Sequence, residues 1–567
     1  MIPHAGFEIR LRQWRRRFAF RGILPFLAVF PGAFAAPAVA QGPLKTLTFA
    51  DYPRWSRITD VVLSADGKWL TYAYTPNEGD ATLHVRQLDG ATVHDIERGS
   101  GPAFSADSRW VAYLVAPAGA GNRGGGARGA GGGGQRGQQP PGARGQTPAG
   151  GAAPARALEL IDLTTGTKAS VPEVQSFQFS PDSRYLAIEK RRTDTNATFQ
   201  GHDLVLRELP GGSSRNIGNV SSFAFNDSGS LLAWVVDAAG KVGNGVYLMD
   251  PGSGSVRTLD TDTLRYDRLT WNQKGTALAA LRGETPAKRE QRVNTLVAFT
   301  GLSGTTVKAV SSAVGVRSRS NPTGGPASDD GNGGMRASTA AAAGFVYDPA
   351  GDAGFPAGMV LSEYGTLTWS RDDSRIFVGI KQQQDSVPAA TGDEPRANVE
   401  VWHYADDRLL SVQKVQANAD QRATFAGVVH IPGKKFVRLA DETMPRSTTT
   451  RDGRWAIGQL DQPYRFAFDE PGNLKDMVRI DVATGERKPL VERVRFTLGV
   501  SPDSRWHVWF SNGKLWLQDI ATGARTDLSA LAGVDFTSVE PGNPGEMGPY
   551  GLAGWSKDGR TLLVNHD

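Results

Sequence analysis

Sulfur chemistry is excluded at once. The 567-residue chain has no cysteine, so no thiol nucleophile, disulfide, iron–sulfur cluster or Cys-ligated zinc can form. Serine, histidine and the carboxylates remain. A serine nucleophile on a strand-to-helix elbow needs Gly-x-Ser-x-Gly, which occurs nowhere, and a P-loop, a dinucleotide fingerprint and His-Glu-x-x-His are equally absent. The eight histidines (4, 84, 94, 202, 403, 430, 507 and 566) are scattered, and His84 and His94 lie near predicted strands, where satisfied histidines are commoner than ligands. Acids recur in every repeat described below, so no pair stands out as the two carboxylates of a glycosidase. Ser328-Asp329-Asp330-Gly331-Asn332-Gly333 resembles a calcium loop, but its carboxylates are adjacent rather than alternating and no later Glu closes it. The sequence therefore assigns no catalytic, cofactor-binding or metal residue, and expects no cofactor.

What the chain repeats is a turn. Phe104-Ser105-Ala106-Asp107-Ser108-Arg109-Trp110 matches Phe179-Ser180-Pro181-Asp182-Ser183-Arg184-Tyr185 and Val500-Ser501-Pro502-Asp503-Ser504-Arg505-Trp506. Further copies begin at Leu63, Trp369 and Trp555, and looser ones centre on Ser228, Lys274 and Asp452. Ser and Asp oxygens cap turn N–H groups, and Gly accepts the left-handed backbone such turns need, so the aspartates read as architecture rather than catalysis. A second pattern follows the first: Asp162 to Gly166, Asp250 to Gly254, Asp481 to Gly485 and Asp519 to Gly523 keep one offset. Two hairpins make four strands per unit, which is the content of one propeller blade. The expected fold is all-β: a β-propeller of about eight four-stranded blades, with seven also compatible, over residues 44–567. Low-complexity tracts at about 117–157 and 314–344 read as loop insertions. Ala112, Ala187, Ala233 and Ala279 share one repeat position, where a small side chain lets sheets approach. Val399 to Tyr404 is expected to form a hairpin strand within an elaborated blade. No stretch of helical period competes, and Ala287 to Ala298 reads as a strand or loop excursion.

The formal charge of +5 reflects 63 bases against 58 acids. Six arginines and one glutamate of that total lie in residues 1–40, leaving 57 of each sign in the remainder. A neutral body offers no global field for a polyanion, so nucleic acid is not an expected partner. The Arg-Gly tract around 119–156 carries no aromatic residue on which a base could stack, and reads as a flexible loop. Residues 1–40 look like an export signal, with a basic region ending at Arg21, an apolar run to about Ala36 and Ala38-Val39-Ala40 before Gln41. Cleavage after Ala40 would leave no stable membrane span, and would place the protein in the periplasm or outside the cell.

The leader, the Ser-Pro-Asp-Ser-Arg repeats at 180–184 and 501–505, the Val399 to Tyr404 segment with Asp406-Asp407 and the Trp555 to Asp558 turn together resemble the prolyl oligopeptidase family. More narrowly, they resemble exported bacterial members of its dipeptidyl-peptidase IV-like branch. The resemblance implies a propeller that gates peptide access to an α/β-hydrolase domain whose Ser, Asp and His would lie beyond residue 567. The last blade would then be incomplete at Asp567, and this portion alone inactive. The branch's adjacent pair of propeller glutamates has no counterpart, since no Glu-Glu occurs. A different class also accommodates the repeats: a TolB-like, non-enzymatic, WD-repeat-like propeller serving as a cell-envelope binding scaffold. Oligomeric state has no signature in the sequence.

Overall fold

The computed structural model describes residues 8–13, 48–49, 52, 55–118, 155–192, 194, 198–302, 344–386, 400, 402–404, 406, 408–464, 474–539 and 547–566. The tracts at 119–154 and 303–343, the calcium-like loop and His4 lie outside these residues. The chain divides into two compact units, residues 18–256 and residues 257–567 with 1–17, each described by itself.

In the first unit, Ser56–Leu63, Trp69–Pro76, Thr82–Gln87 and Val93–Glu97 form a four-stranded antiparallel meander. A longer antiparallel path follows through Gly99–Phe104, Trp110–Val115, Arg156–Asp162, Lys168–Phe179, Tyr185–Lys190, His202–Glu208, Ser214–Phe225, Leu232–Val236 and Gly245–Met249. Lys168–Phe179 and Ser214–Phe225 each serve two repeats. The first half of Lys168–Phe179 pairs with Arg156–Asp162 and its second half with Tyr185–Lys190, with a register break at Val174. Such a break re-aims the strand between one sheet and the next.

The second unit repeats the plan. Arg265–Trp271, Leu278–Glu284, Val293–Phe299 and Phe345–Tyr347 are followed by Met359–Leu361, Thr368–Trp369, Arg375–Gln382, Phe425–His430 and Lys435–Arg438. Two four-stranded meanders come next: Arg446–Thr449, Trp455–Leu460, Lys475–Asp481 and Arg487–Val494, then Phe496–Val500, Trp506–Ser511, Lys514–Asp519 and Arg525–Asp527. Leu552–Trp555 and Thr561–His566 pair antiparallel, and Glu8–Gln13 lies parallel along Thr561–His566. The sequence reading foresaw no strand in that basic leader segment.

Second strands such as Trp110–Val115 and Tyr185–Lys190 are buried along nearly their whole length because another sheet lies against each face. The four aligned alanines are fully buried on these strands. Apolar clusters join consecutive sheets: Trp69, Leu83 and Val85 pack with Val111, Tyr113 and Ile161, and in the second unit Ile457 and Met477 pack with Trp509 and Ile520. The core is thus a series of layers between neighbouring repeats.

One network builds seven of the first turns, and in the turns at Ser228 and Lys274 the side-chain oxygens of Asn226 and Asn272 accept the corresponding N–H groups instead. The Ser64 hydroxyl donates to Asp66 Oδ1 (2.7 Å) and accepts the Trp69 N–H (2.9 Å), while the Lys68 N–H donates to the same carboxylate (3.1 Å). The geometry recurs at Ser105/Asp107, Ser180/Asp182, Ser370/Asp372, Thr450/Asp452, Ser501/Asp503 and Ser556/Asp558. The residue after the Asp is left-handed, whether it is Gly67 (φ 71°), Ser108 (62°), Ser183 (61°) or Ser504 (63°). Serine accepts that strain at sites where its hydroxyl receives the N–H of the preceding turn's aspartate. Asp66 donates to Ser108 (3.1 Å), Asp107 to Ser183 (3.0 Å) and Asp452 to Ser504 (3.0 Å). Within each unit, then, successive turns sit side by side.

Two expectations are corrected. A helix does form, Leu410–Gln421, in a stretch read as lacking helical period. None of its residues is buried, so it carries no apolar stripe and rests on the backbone preference of residues such as Leu410, Lys414, Ala417 and Ala419. Where a hairpin strand is expected at Val399 to Tyr404, the described residues Glu400 and Trp402 to Tyr404 lie outside any strand, with Trp402 and Tyr404 exposed. An aromatic-rich alternation there reflects no buried face. Strand Arg156–Asp162 follows the first low-complexity tract. Val293–Phe299 makes the latter part of the Ala287 to Ala298 excursion a strand.

Candidate functional site

The turn aspartates are committed to their turns. Hydrogen bonding from Ser64 holds the Asp66 carboxyl below the usual range, and Ser556 does the same for Asp558. Second-hairpin aspartates are equally occupied. Asp162 accepts from Thr164 N–H (2.9 Å) and Arg109 Nη2 (2.8 Å), and Arg505 Nε reaches Asp519 at 3.0 Å. Burial raises the Asp162 pKa, but these donors outweigh it and bring it down to about 2. Each carboxylate is fixed by its donors, which suits a joint and not a proton shuttle.

The histidines are dispersed, as their spacing in the sequence suggests. His84 bonds Asp95 (2.7 Å) and stacks on Tyr72, and His94 stacks on Trp69. Burial holds His430 below its usual range, with its Nε2 facing the Val482 carbonyl at 3.1 Å. His507 is 1% exposed, and burial brings it down to about 4. His202 has the most suggestive company, because Glu189 lies between it and Ser176 and bonds both. In that order the carboxylate, not the imidazole, meets the hydroxyl. Histidine therefore cannot take the serine proton as nucleophilic catalysis requires. Sequence reasoning did not bring these three together, since they come from three different strands and share no local motif. Among the described residues no group of three His, Cys, Asp or Glu side chains could hold a metal ion.

A dense charge network surrounds Tyr266. Its hydroxyl donates to Asp260 (2.9 Å), Arg282 bridges Asp260 (2.9 Å) and Asp262 (3.4 Å), and buried Arg292 pairs with Asp267. Three arginines (265, 282 and 292) meet four acids (260, 262, 267 and 363), and Arg268 donates to the Glu363 backbone carbonyl, so the network offers no surplus of positive charge unpaired with acid.

The concavity of the second unit is different. A groove of about 710 Å³ lies between the short strands Thr368–Trp369 and Arg446–Thr449. Its walls are rich in hydroxyls, and its charged lining residues are Arg371, Arg446 and Arg451, with no acid. Gly365 and Gly379 let two backbones meet beside it, since a Cβ on Gly365 would fall 2.4 Å from the Gly379 Cα. Arg446–Thr449 pairs only with Trp455–Leu460, so its other edge is open. Sequence reading passed over Arg446-Ser447-Thr448-Thr449-Thr450; a polar, β-branched run bounded by arginine was the available signal. Such a groove can bind but has no nucleophile paired with a base.

No protein-family model and no curated protein matches the chain. Solved structures align with it at low identity. A eukaryotic initiation factor aligns over 83% of this chain and 87% of its own, at 11% identity and a TM-score of 0.37. One of two prolyl endopeptidases aligns over 82% of this chain and 54% of its own, at 11% identity and a TM-score of 0.31. The β-propeller domain of the Trilobed protease from Pyrococcus furiosus aligns over 77% and 99%, at 9% identity and a TM-score of 0.29. The chain thus spans about half the length of that endopeptidase. Among the described residues no helix is long and apolar enough to cross a membrane.

Proposed function

We propose that residues 44–567 form an eight-bladed β-propeller belonging to an exported serine peptidase of the prolyl oligopeptidase type, admitting short or unfolded peptides to a hydrolase domain encoded beyond residue 567. The observation that carries the propeller is the run of antiparallel meanders whose Ser-x-Asp turns bond from one repeat to the next within each unit. Sheets layered face to face with aligned first turns are what radial repetition produces. The peptidase reading rests on the order of the turn motifs along the chain, and export rests on the basic, then apolar, then Ala-x-Ala leader. In the whole enzyme a serine activated by histidine would attack the peptide carbonyl and form an acyl-enzyme, with the propeller limiting which chains arrive.

The test is the coding frame past Asp567. The expected result is about 250 further codons containing Gly-x-Ser-x-Gly, a common size for such a domain. A frame without that motif overturns the peptidase reading and leaves a binding scaffold.

A further inference from the structure

We propose that the groove beside Arg446–Thr449 binds an extended acidic peptide segment, which adds as a strand to the open edge and sets its carboxylates against Arg371, Arg446 and Arg451. This deepens, and rests on, the reading of the chain as a peptide-admitting propeller.

The backbone supplies the first argument. Thr450 donates its N–H to the Trp455 carbonyl (2.8 Å), which fixes the phase of the ladder. Alternation along the antiparallel register Thr449↔Ala456, Thr448↔Ile457, Ser447↔Gly458 then turns the N–H and C=O of Ser447 and Thr449 toward the open edge. Two residues spaced by one are the repeat that an added strand uses. A concavity of about 710 Å³ lies in front of them, room for a few residues of extended chain.

Charge supplies the second. All three arginines are exposed, and none has an ion pair among the described residues. Their sequence neighbours form no ion pair with them: Asp372 is hydrogen-bonded to Ser370 and Ser374, and Asp452 to Thr450 and the Arg454 N–H. Lys475, on the same sheet, is held below its usual range chiefly by burial and in part by the charge of Arg446, which outweigh the opposing pull of Asp461. An acidic segment is the complement, whereas a basic or proline-rich one is repelled or cannot bond the edge.

Fluorescence polarisation on the full chain tests this with labelled Thr-Glu-Val-Glu-Thr-Glu-Val-Gly, its Lys-for-Glu counterpart, and the Glu peptide N-methylated at alternate residues. The Glu peptide is expected to bind at least about tenfold tighter than either control, and to weaken as salt rises. The pair Arg446→Gln and Arg451→Gln should lose about tenfold while leaving folding intact, because both side chains are exposed. Thr449→Pro, which removes an outward N–H from an edge strand, should weaken binding with an unchanged circular dichroism spectrum. Equal binding of the Glu and Lys peptides, or no effect of the arginine pair, overturns the charge assignment. Full affinity of the N-methylated peptide overturns strand addition even if Thr449→Pro does not fold. Failure here leaves the downstream coding frame untouched, so it is separable from failure of the peptidase reading.

Discussion

Ser183 carries a left-handed backbone (φ 61°) and is 6% exposed, yet a glycine would adopt that conformation at less cost. Its hydroxyl explains the choice, because it accepts the Asp107 N–H from the neighbouring repeat at 3.0 Å. Two substitutions separate the effects. Ser183→Ala keeps the left-handed strain and loses the bond, leaving a part-buried N–H unpaired, for a loss of about 1–2 kcal/mol. Ser183→Gly loses the same bond but relieves about 1 kcal/mol of strain, so it should fall no more than about 1 kcal/mol below the parent. Glycine should therefore be more stable than alanine by about 1 kcal/mol. The reverse exchange has a different limit. At Gly229 an added Cβ would meet Asp182 Cγ at 2.8 Å and its backbone N at 2.9 Å, so Gly229→Ser should cost about 2 kcal/mol or more. Urea denaturation midpoints with slopes checked for constancy measure all three. Ser183→Ala as stable as the parent would refute the claim that the turns are bonded across repeats, and alanine equal to or more stable than glycine would refute the strain at this position.

Other outcomes follow from the same geometry. His507 is buried neutral, with its pKa near 4 against 6.5 in a solvated chain. The unfolded chain then binds a proton that the folded one refuses, and stability present above pH 6.5 is lost as pH falls toward 4, by about 3 kcal/mol at most. His507→Gln should flatten that part of the stability–pH curve, and an unchanged slope counts against the buried neutral imidazole. Gly201→Ala should destabilise by about 3 kcal/mol or prevent folding, because the new Cβ would lie 2.4 Å from the backbone oxygens of both Asn219 and Asp237; a normal midpoint in thermal denaturation would contradict that approach. With Glu189 interposed between Ser176 and His202, the 567-residue chain should not react with a serine-directed fluorophosphonate. Labelling that vanishes in Ser176→Ala would show the order of the cluster to be wrong.

The strand content, the two hairpins per unit and the structural role of the aspartates were legible in the sequence, because each turn is a local device. Ser180, Asp182, Ser183 and Tyr185 bond among themselves within six residues, so their types and spacing specify the geometry wherever they occur. Burial of Ala112 and Ala187 was legible for the same reason, as a recurrent small residue at one step of the repeat. The helix Leu410–Gln421 was not, since a helix that buries nothing leaves no apolar period to find. Nor was the groove, which depends on Arg371 and Arg446, 75 positions apart, coming to one concavity while strand Arg446–Thr449 keeps one edge open. Ser176, Glu189 and His202 likewise converge only through strand pairing. Local hydrogen-bond chemistry therefore determined the repeating unit, and packing of sheet on sheet decided which distant charges and edges face one another, because those contacts exist only once the layers are stacked.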